Sequence, residues 1–141
     1  MQLDVEEHPS LDFGALRAEL PQPVGDSVSP DWLVALLSAE AQAPLQRNEA
    51  ARTVVRDMLR HGGFKPTGRS KPASEYLVKA VSEGRLGSIN LPVDLGNVVS
   101  FHSGVPISVV DMDRTEGALR VGIAPADSRF VFNHAGQELS L

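Results

Sequence analysis

The sequence predicts an α+β fold, N-terminal helices packed on a mainly antiparallel sheet, and three observations carry that expectation. Apolar stripes of helical period, each bounded by capping and glycine signals, occupy much of residues 29–103. Short β-branched runs separated by turn residues then continue to the end of the chain. The 141 residues amount to one ordinary domain, long enough to enclose a core without disulfides. Cysteine is absent, so disulfides, thiolate metal sites and cysteine nucleophiles are excluded.

Residues 1–28 read as an acidic, Pro-rich leader. Three prolines fall within residues 21–30 and no periodicity is sustained before them, so an extended arm or a strand laid against the domain is expected. Residues 29–141 are expected to form a single α+β domain. Ser29-Pro30-Asp31 opens a helix: serine as N-cap, proline in the first turn, and aspartate favoured by the dipole. This helix, Trp32–Ala43, is apolar on most sides, which predicts burial, and it stops at Pro44. A second runs from about Glu49 to Arg60, with Ala51, Val54, Val55 and Met58 on one stripe and Arg52, Arg56 and Arg60 on another face. Gly62-Gly63 ends it. A third spans about Lys71 to Glu83, with Ser70 as candidate cap and Pro72 in its first turn. Asn90 and Pro92 introduce a helix over about Val93–Ser103, closed by Gly104.

Strand signals follow. Pro106–Val110 is β-branched and apolar, the pattern of a buried strand. Asp111-Met112-Asp113 begins a turn, Ala118–Ile123 and Arg129–Phe132 read as strands, and Asn133–Gly136 is turn chemistry before Gln137–Leu141.

The net charge of -5 conceals a strong asymmetry. Residues 1–31 carry seven acids against Arg17 alone, whereas residues 47–85 carry nine Lys or Arg against four acids. Local charge steers partners, so the basic middle either faces a phosphate backbone or is a solvated helix surface. No apolar run approaches the roughly 20 residues of a membrane span, and the acidic N-terminus carries no secretory signal, so a soluble, cytoplasmic protein is expected.

Several chemical motifs are near misses. Gly63-Phe-Lys-Pro-Thr-Gly68-Arg69-Ser70 resembles a phosphate loop, but Arg69 replaces its lysine, Pro66 removes an amide donor, and a helix precedes it. What survives is a looser anion site on Lys65, Arg69 and Lys71 beside a helix N-terminus. His61-Gly62-Gly63 has no G-x-S-x-G elbow to serve, and the four histidines lack zinc spacing, so no metal or cofactor is expected. Asp111, Asp113 and Glu116 are turn formers before they are cation ligands. Asp94 and Asn97, three residues apart, share one side of their helix at the edge of its apolar face; spacing alone also allows Asp94 to serve only the helix dipole.

The stretch Ser88–Gly117 is more specific. Ile89-Asn90-x-x-Val93-Asp94-x-x-Asn97-x-Val99, then Gly104-Val-Pro106 leading to Asp111, then Glu116-Gly-Ala-Leu-Arg-Val121 resembles the B3/B4 domain of the phenylalanyl-tRNA synthetase β chain and its free-standing relatives. Upstream, Phe64-Lys-Pro-Thr-Gly-Arg-Ser-Lys-Pro-Ala-Ser-Glu75 is similar to the lead-in of those relatives. The resemblance covers about residues 60–141. It implies tRNA binding and an editing-type activity, hydrolysis of the ester of mischarged tRNA, with the aminoacylated 3′ end as partner and no membrane involvement.

Carried over by position, the site residues implied are Asn90, Asp94, Asn97, Ser108 and Asp111. Asn97 and Ser108 would orient water or the amino acid, and Asp94 or Asp111 would hold its ammonium. Ser108 stands where the family motif commonly has a histidine, which puts the specificity in doubt. Arg52, Arg56, Lys65, Arg69 and Lys71 would contact the tRNA backbone. The family domain continues past the equivalent of Leu141, so the chain is expected to hold only its first part, leaving a sheet edge through which copies would associate. Two other readings stand beside the enzyme: a non-catalytic RNA-binding module, and a small-ligand or protein-interaction domain on the same fold.

Overall fold

The computed structural model describes residues 2–131 and 136–140, with backbone alone for 139 and 140. In chain order the elements are β1 (Leu3–Val5), α1 (Asp31–Ala35), α2 (Glu49–Leu59), α3 (Ala73–Ser82), α4 (Leu91–Ser103), β2 (Leu119–Val121), β3 (Arg129–Val131) and β4 (Glu138–Ser140). Single-turn 3-10 helices occur at Val24–Asp26, His61–Gly63, Gly68–Ser70 and Met112–Arg114. No helix among the described residues is long and apolar enough to cross a membrane.

α4 organises the core, and its ends are set locally. Asn90 Oδ1 accepts from the Val93 N–H at 3.1 Å, Pro92 sits in the first turn, and Gly104 closes the helix in the left-handed region at φ 80°. Val98 and Phe101 face inward, and Val98 packs with Leu33 and Leu37, against which Leu36, Leu86 and Leu91 also lie. The Arg47 guanidinium covers the Phe101 ring at 4.4 Å. α1 and α3 both pack on α4.

The first helix is shorter than its composition predicts. It ends at Ala35, and Trp32 is 62% exposed. The reason lies in α4: the His102 Nε2–H donates to the Leu36 carbonyl at 2.8 Å, taking an acceptor that a continuing helix would need. Ser29 is not its cap either. Pro30 occupies that position, and Ser29 points instead to Asp94. α2 and α3 lie close to the expected ranges, α2 capped by Asn48 Oδ1 on the Ala51 N–H at 2.8 Å.

The class is α+β, but the expected mainly antiparallel sheet is not what forms. The described strands make two separate two-stranded ladders. β1 pairs with β2 in parallel, Leu3 opposite Leu119, and β3 pairs with β4 antiparallel, Arg129 opposite Ser140. A parallel pair arises because the arm returns along β2 from the far end of the sequence instead of through a hairpin. Glu6 holds it there, accepting from Arg120 Nη2 at 3.0 Å and from the Ile123 N–H at 3.3 Å.

Pro106–Val110, predicted as a buried strand, joins neither ladder. Nor is it buried: it lies beside α4 with Ile107, Val109 and Val110 38%, 48% and 50% exposed. A Cβ on Gly96 would stand 2.8 Å from Val109 Cγ2 and 3.7 Å from Ile107 Cγ2, so the missing side chain at 96 lets the segment approach the helix. Residues 107 and 109 meet the helix because alternate side chains of an extended chain share a face. The turn expected at Asn133–Gly136 lies, except for Gly136, outside the described residues.

Candidate functional site

The polar residues of the Asn90–Asn97 segment have different fates. Asp94 is fully buried, at 0% exposure, and both its oxygens are engaged. Its Oδ2 accepts from Ser29 Oγ and from Ser88 Oγ, each at 2.5 Å, and its Oδ1 accepts from the Ile89 N–H at 2.9 Å. Burial would raise its pKa, but these three donors outweigh it and hold the carboxyl below the ordinary range. The carboxylate ties the end of the leader and the Ser88–Ile89 strap to the start of α4. Asn90 uses its Oδ1 as helix cap. Neither oxygen set is therefore turned toward a ligand.

Asn97 is half-buried on α4, and Ser108 is exposed on the extended segment. Asp111 accepts from the Asp113 N–H at 3.1 Å, opening the turn at Met112–Arg114, which is the turn-forming role. Among the described residues no cluster of three or more His, Asp or Glu side chains is arranged to hold a metal.

The basic residues divide just as sharply. Arg56 donates from Nε to Glu75 Oε1 at 2.6 Å and from Nη2 to Oε2 at 2.8 Å. Arg52 reaches the same carboxylate at 3.4 Å and also pairs with Glu49 at 2.9 Å. Hydrogen bonds from Arg56, helped by the nearby positive charges, hold the Glu75 carboxyl below its usual range against the opposing effect of burial. The same bond raises the Arg56 pKa. Arg60 pairs with Asp57, and Lys79 and Arg85 both pair with Glu83. Lys65, Arg69 and Lys71 pair with no carboxylate among the described residues, and all three are exposed. Apart from Arg47, whose guanidinium lies over the Phe101 ring, the cations of the basic middle that meet no acid among the described residues fall within seven residues of loop.

That loop borders a cavity of about 330 Å³. Arg69, Ser70 and Lys71 form one side, Pro72 with Ala73 and Tyr76 of α3 another, and Leu59, Phe64, Pro106 and Phe130 complete the lining. Tyr76 O–H donates to the Gly68 carbonyl at 3.0 Å, so the start of α3 fixes the loop that carries the cations. A second hollow lies along the arm, lined by Val5, Glu6, Glu7, His8, Pro9, Leu11 and Phe13, and carries acids instead of cations. Neither hollow is lined by Asn90, Asp94, Asn97, Ser108 or Asp111.

Sequence reasoning placed Lys65, Arg69 and Lys71 beside a helix start, but it missed Glu75, Phe64, Tyr76 and Phe130. Glu75 was detectable as a lone acid between Arg69 and Lys79. Tyr76 falls on the same helical stripe as Ala73, Leu77 and Ala80, which reads as packing, and nothing local to Phe130 indicates its neighbour across the fold.

In comparisons with known proteins, no curated protein and no solved structure matches the chain. The family model described as the B3/4 domain matches residues 64–140, more than half of the 141 residues. The match begins at Phe64 on the cavity wall and takes in α3, α4 and all strands after them. The chain belongs to the B3/4 domain family.

Proposed function

We propose that the protein is a tRNA-binding module that grips the phosphate backbone with the loop carrying Lys65, Arg69 and Lys71. The observation that carries this reading is the contrast between these three cations and the rest of residues 47–85. There, Arg52, Arg56, Arg60, Lys79 and Arg85 are paired with acids and Arg47 lies over the Phe101 ring, while the loop keeps its charge for an external anion. Membership of a family whose domain occurs in the phenylalanyl-tRNA synthetase β chain supports tRNA as the nucleic acid. Binding of total tRNA is expected to weaken steeply between low and high salt. Replacing Lys65, Arg69 and Lys71 with alanine should reduce the slope of log affinity against log salt by about 2 to 3, at roughly 0.7 to 0.9 per lost phosphate contact. Salt-insensitive binding, or an unchanged slope in the triple variant, would remove the proposal.

Editing-type hydrolysis is the second reading, favoured by one observation. Asn97 is half-buried, and its side-chain amide makes no hydrogen bond among the described residues. A water oriented there would attack the ester carbonyl of an aminoacyl-tRNA, releasing free amino acid and the tRNA 3′ hydroxyl. Because the ester is already activated, positioning and oxyanion stabilisation supply most of what is needed. In this reading Asp94 and Asn90 hold the wall and Asn97 orients the water, while Ser108, between Ile107 and Val109, lies on the face of its segment turned away from α4. Deacylation of several mischarged tRNAs should be faster with the protein than without it, and slower with Asn97→Ala. Equal rates in all three reactions would leave binding alone.

A further inference from the structure

We propose that the cavity between the Gly68–Lys71 loop, α3 and β3 takes one nucleotide unit of single-stranded RNA, with its base among Phe64, Tyr76 and Phe130 and its phosphate on Arg69 and Lys71. The inference deepens the tRNA-binding reading and rests on it, adding a site for a base to a surface for the backbone.

Three features select this ligand class together. The volume of about 330 Å³ lies at the low end of the roughly 300–1,000 Å³ typical of small-molecule sites, room enough for one base. The wall is chiefly apolar and aromatic, and aromatic side chains stack bases of any identity. The two cations of the lining have no carboxylate partner among the described residues, so a ligand that brings an anion is the charge complement. A bare anion would gain nothing from the aromatic wall, and a purely apolar ligand would gain nothing from Arg69 and Lys71. A base joined to a phosphate uses both. The Tyr76–Gly68 hydrogen bond sets the cations beside the ring before any ligand arrives.

The test uses the whole chain labelled with ¹⁵N. Titration with 5′-AMP should saturably shift the amides of Gly68–Lys71, Ala73 and Phe130. Adenosine should shift the same amides with lower affinity, and inorganic phosphate should bind at least about tenfold more weakly than AMP. Arg69→Ala with Lys71→Ala should cost about tenfold in AMP affinity while leaving adenosine unchanged. Phe130→Ala, a change at a half-exposed position, should weaken AMP and adenosine but not phosphate. The trinucleotide ApApA should bind more tightly than AMP.

Phosphate binding as tightly as AMP, or no saturable shift at these amides with millimolar AMP, would overturn the proposal. AMP binding as tightly as the trinucleotide would overturn RNA as the source and identify a free nucleotide. If AMP fails while total tRNA still binds in a manner dependent on Lys65, Arg69 and Lys71, the cavity assignment falls and the backbone-binding reading stands. If AMP binds and tRNA does not, the backbone-binding reading falls.

Discussion

Arg56 on α2 and Glu75 on α3 form a two-point ion pair, 2.6 and 2.8 Å, with less than a fifth of either side chain exposed. One edge of the guanidinium, Nε and Nη2, is engaged on both oxygens of a single carboxylate, so this arginine serves the contact between helices. Arg52 shares the same carboxylate. Two of the cations that sequence alone offers to RNA are thereby neutralised within the fold.

Releasing them gives the first prediction. Glu75→Gln should free Arg56 and part of Arg52, lower the melting temperature, and steepen the salt dependence of tRNA binding by up to about 0.9 for each cation that gains a phosphate. Filter binding across a salt series checks it. An unchanged slope would place the α2 arginines off the RNA face.

Asp94 supports a second prediction, about stability. Asp94→Asn puts an amide where Ser29, Ser88 and the Ile89 N–H all donate, so at least one donor loses its acceptor in a buried site. The cost should be roughly 1.5 to 3 kcal/mol, the range for a hydrogen bond to a charged group. Urea unfolding should show a lower midpoint at constant slope. A midpoint within error of wild type would mean that the Ser29–Asp94–Ser88 cluster does not hold the leader to α4.

The same group makes stability depend on acid. Asp94 and Glu75 both have their pKa lowered in the folded protein. A lowered carboxyl pKa contributes stability that is complete above the unfolded value, about 3.9 for Asp and 4.3 for Glu, and is lost as pH falls through the folded value. Stability should therefore be flat with respect to these groups from about pH 5 upward and decline below it. The difference between wild type and Asp94→Asn should shrink over that acid range in parallel thermal melts.

A fourth prediction concerns Gly96, where two effects oppose. Alanine in mid-helix is favoured over glycine by about 1 kcal/mol. Its Cβ would meet Val109 Cγ2 at 2.8 Å, closer than packed carbons tolerate. Gly96→Ala should therefore be close to neutral or destabilising in the wild-type protein but stabilising, by up to about 1 kcal/mol, in a Val109→Ala background. A double-mutant cycle from chemical denaturation measures the coupling. Additive effects would show that the 106–110 segment does not bear on α4.

Local signals made much of the helical part legible. Asn90, Pro92 and Gly104 mark both ends of α4 because capping depends on residues within a few positions of each other. The family was legible too, since its motif spans contiguous residues that the B3/4 match includes. The site was read less well. Asp94 lies on the expected helix, but its accessibility was decided by Ser29, 65 residues away, together with Ser88.

The sequence by itself determined, to within about two residues, where α2, α3 and α4 begin and end, and also the excess of positive charge over residues 47–85 and the family motif. Tertiary structure alone decided that α1 stops where His102 takes the Leu36 carbonyl, that the β-branched segment lies on α4 instead of in a sheet, and that the arm pairs in parallel with β2. It also decided how the cations are partnered: Arg56 finds Glu75, while Lys65, Arg69 and Lys71 find no acid among the described residues. The division has one physical cause. Caps and periodicity are properties of neighbouring residues, whereas a hydrogen bond or ion pair between distant groups exists only once folding has brought both to the same place.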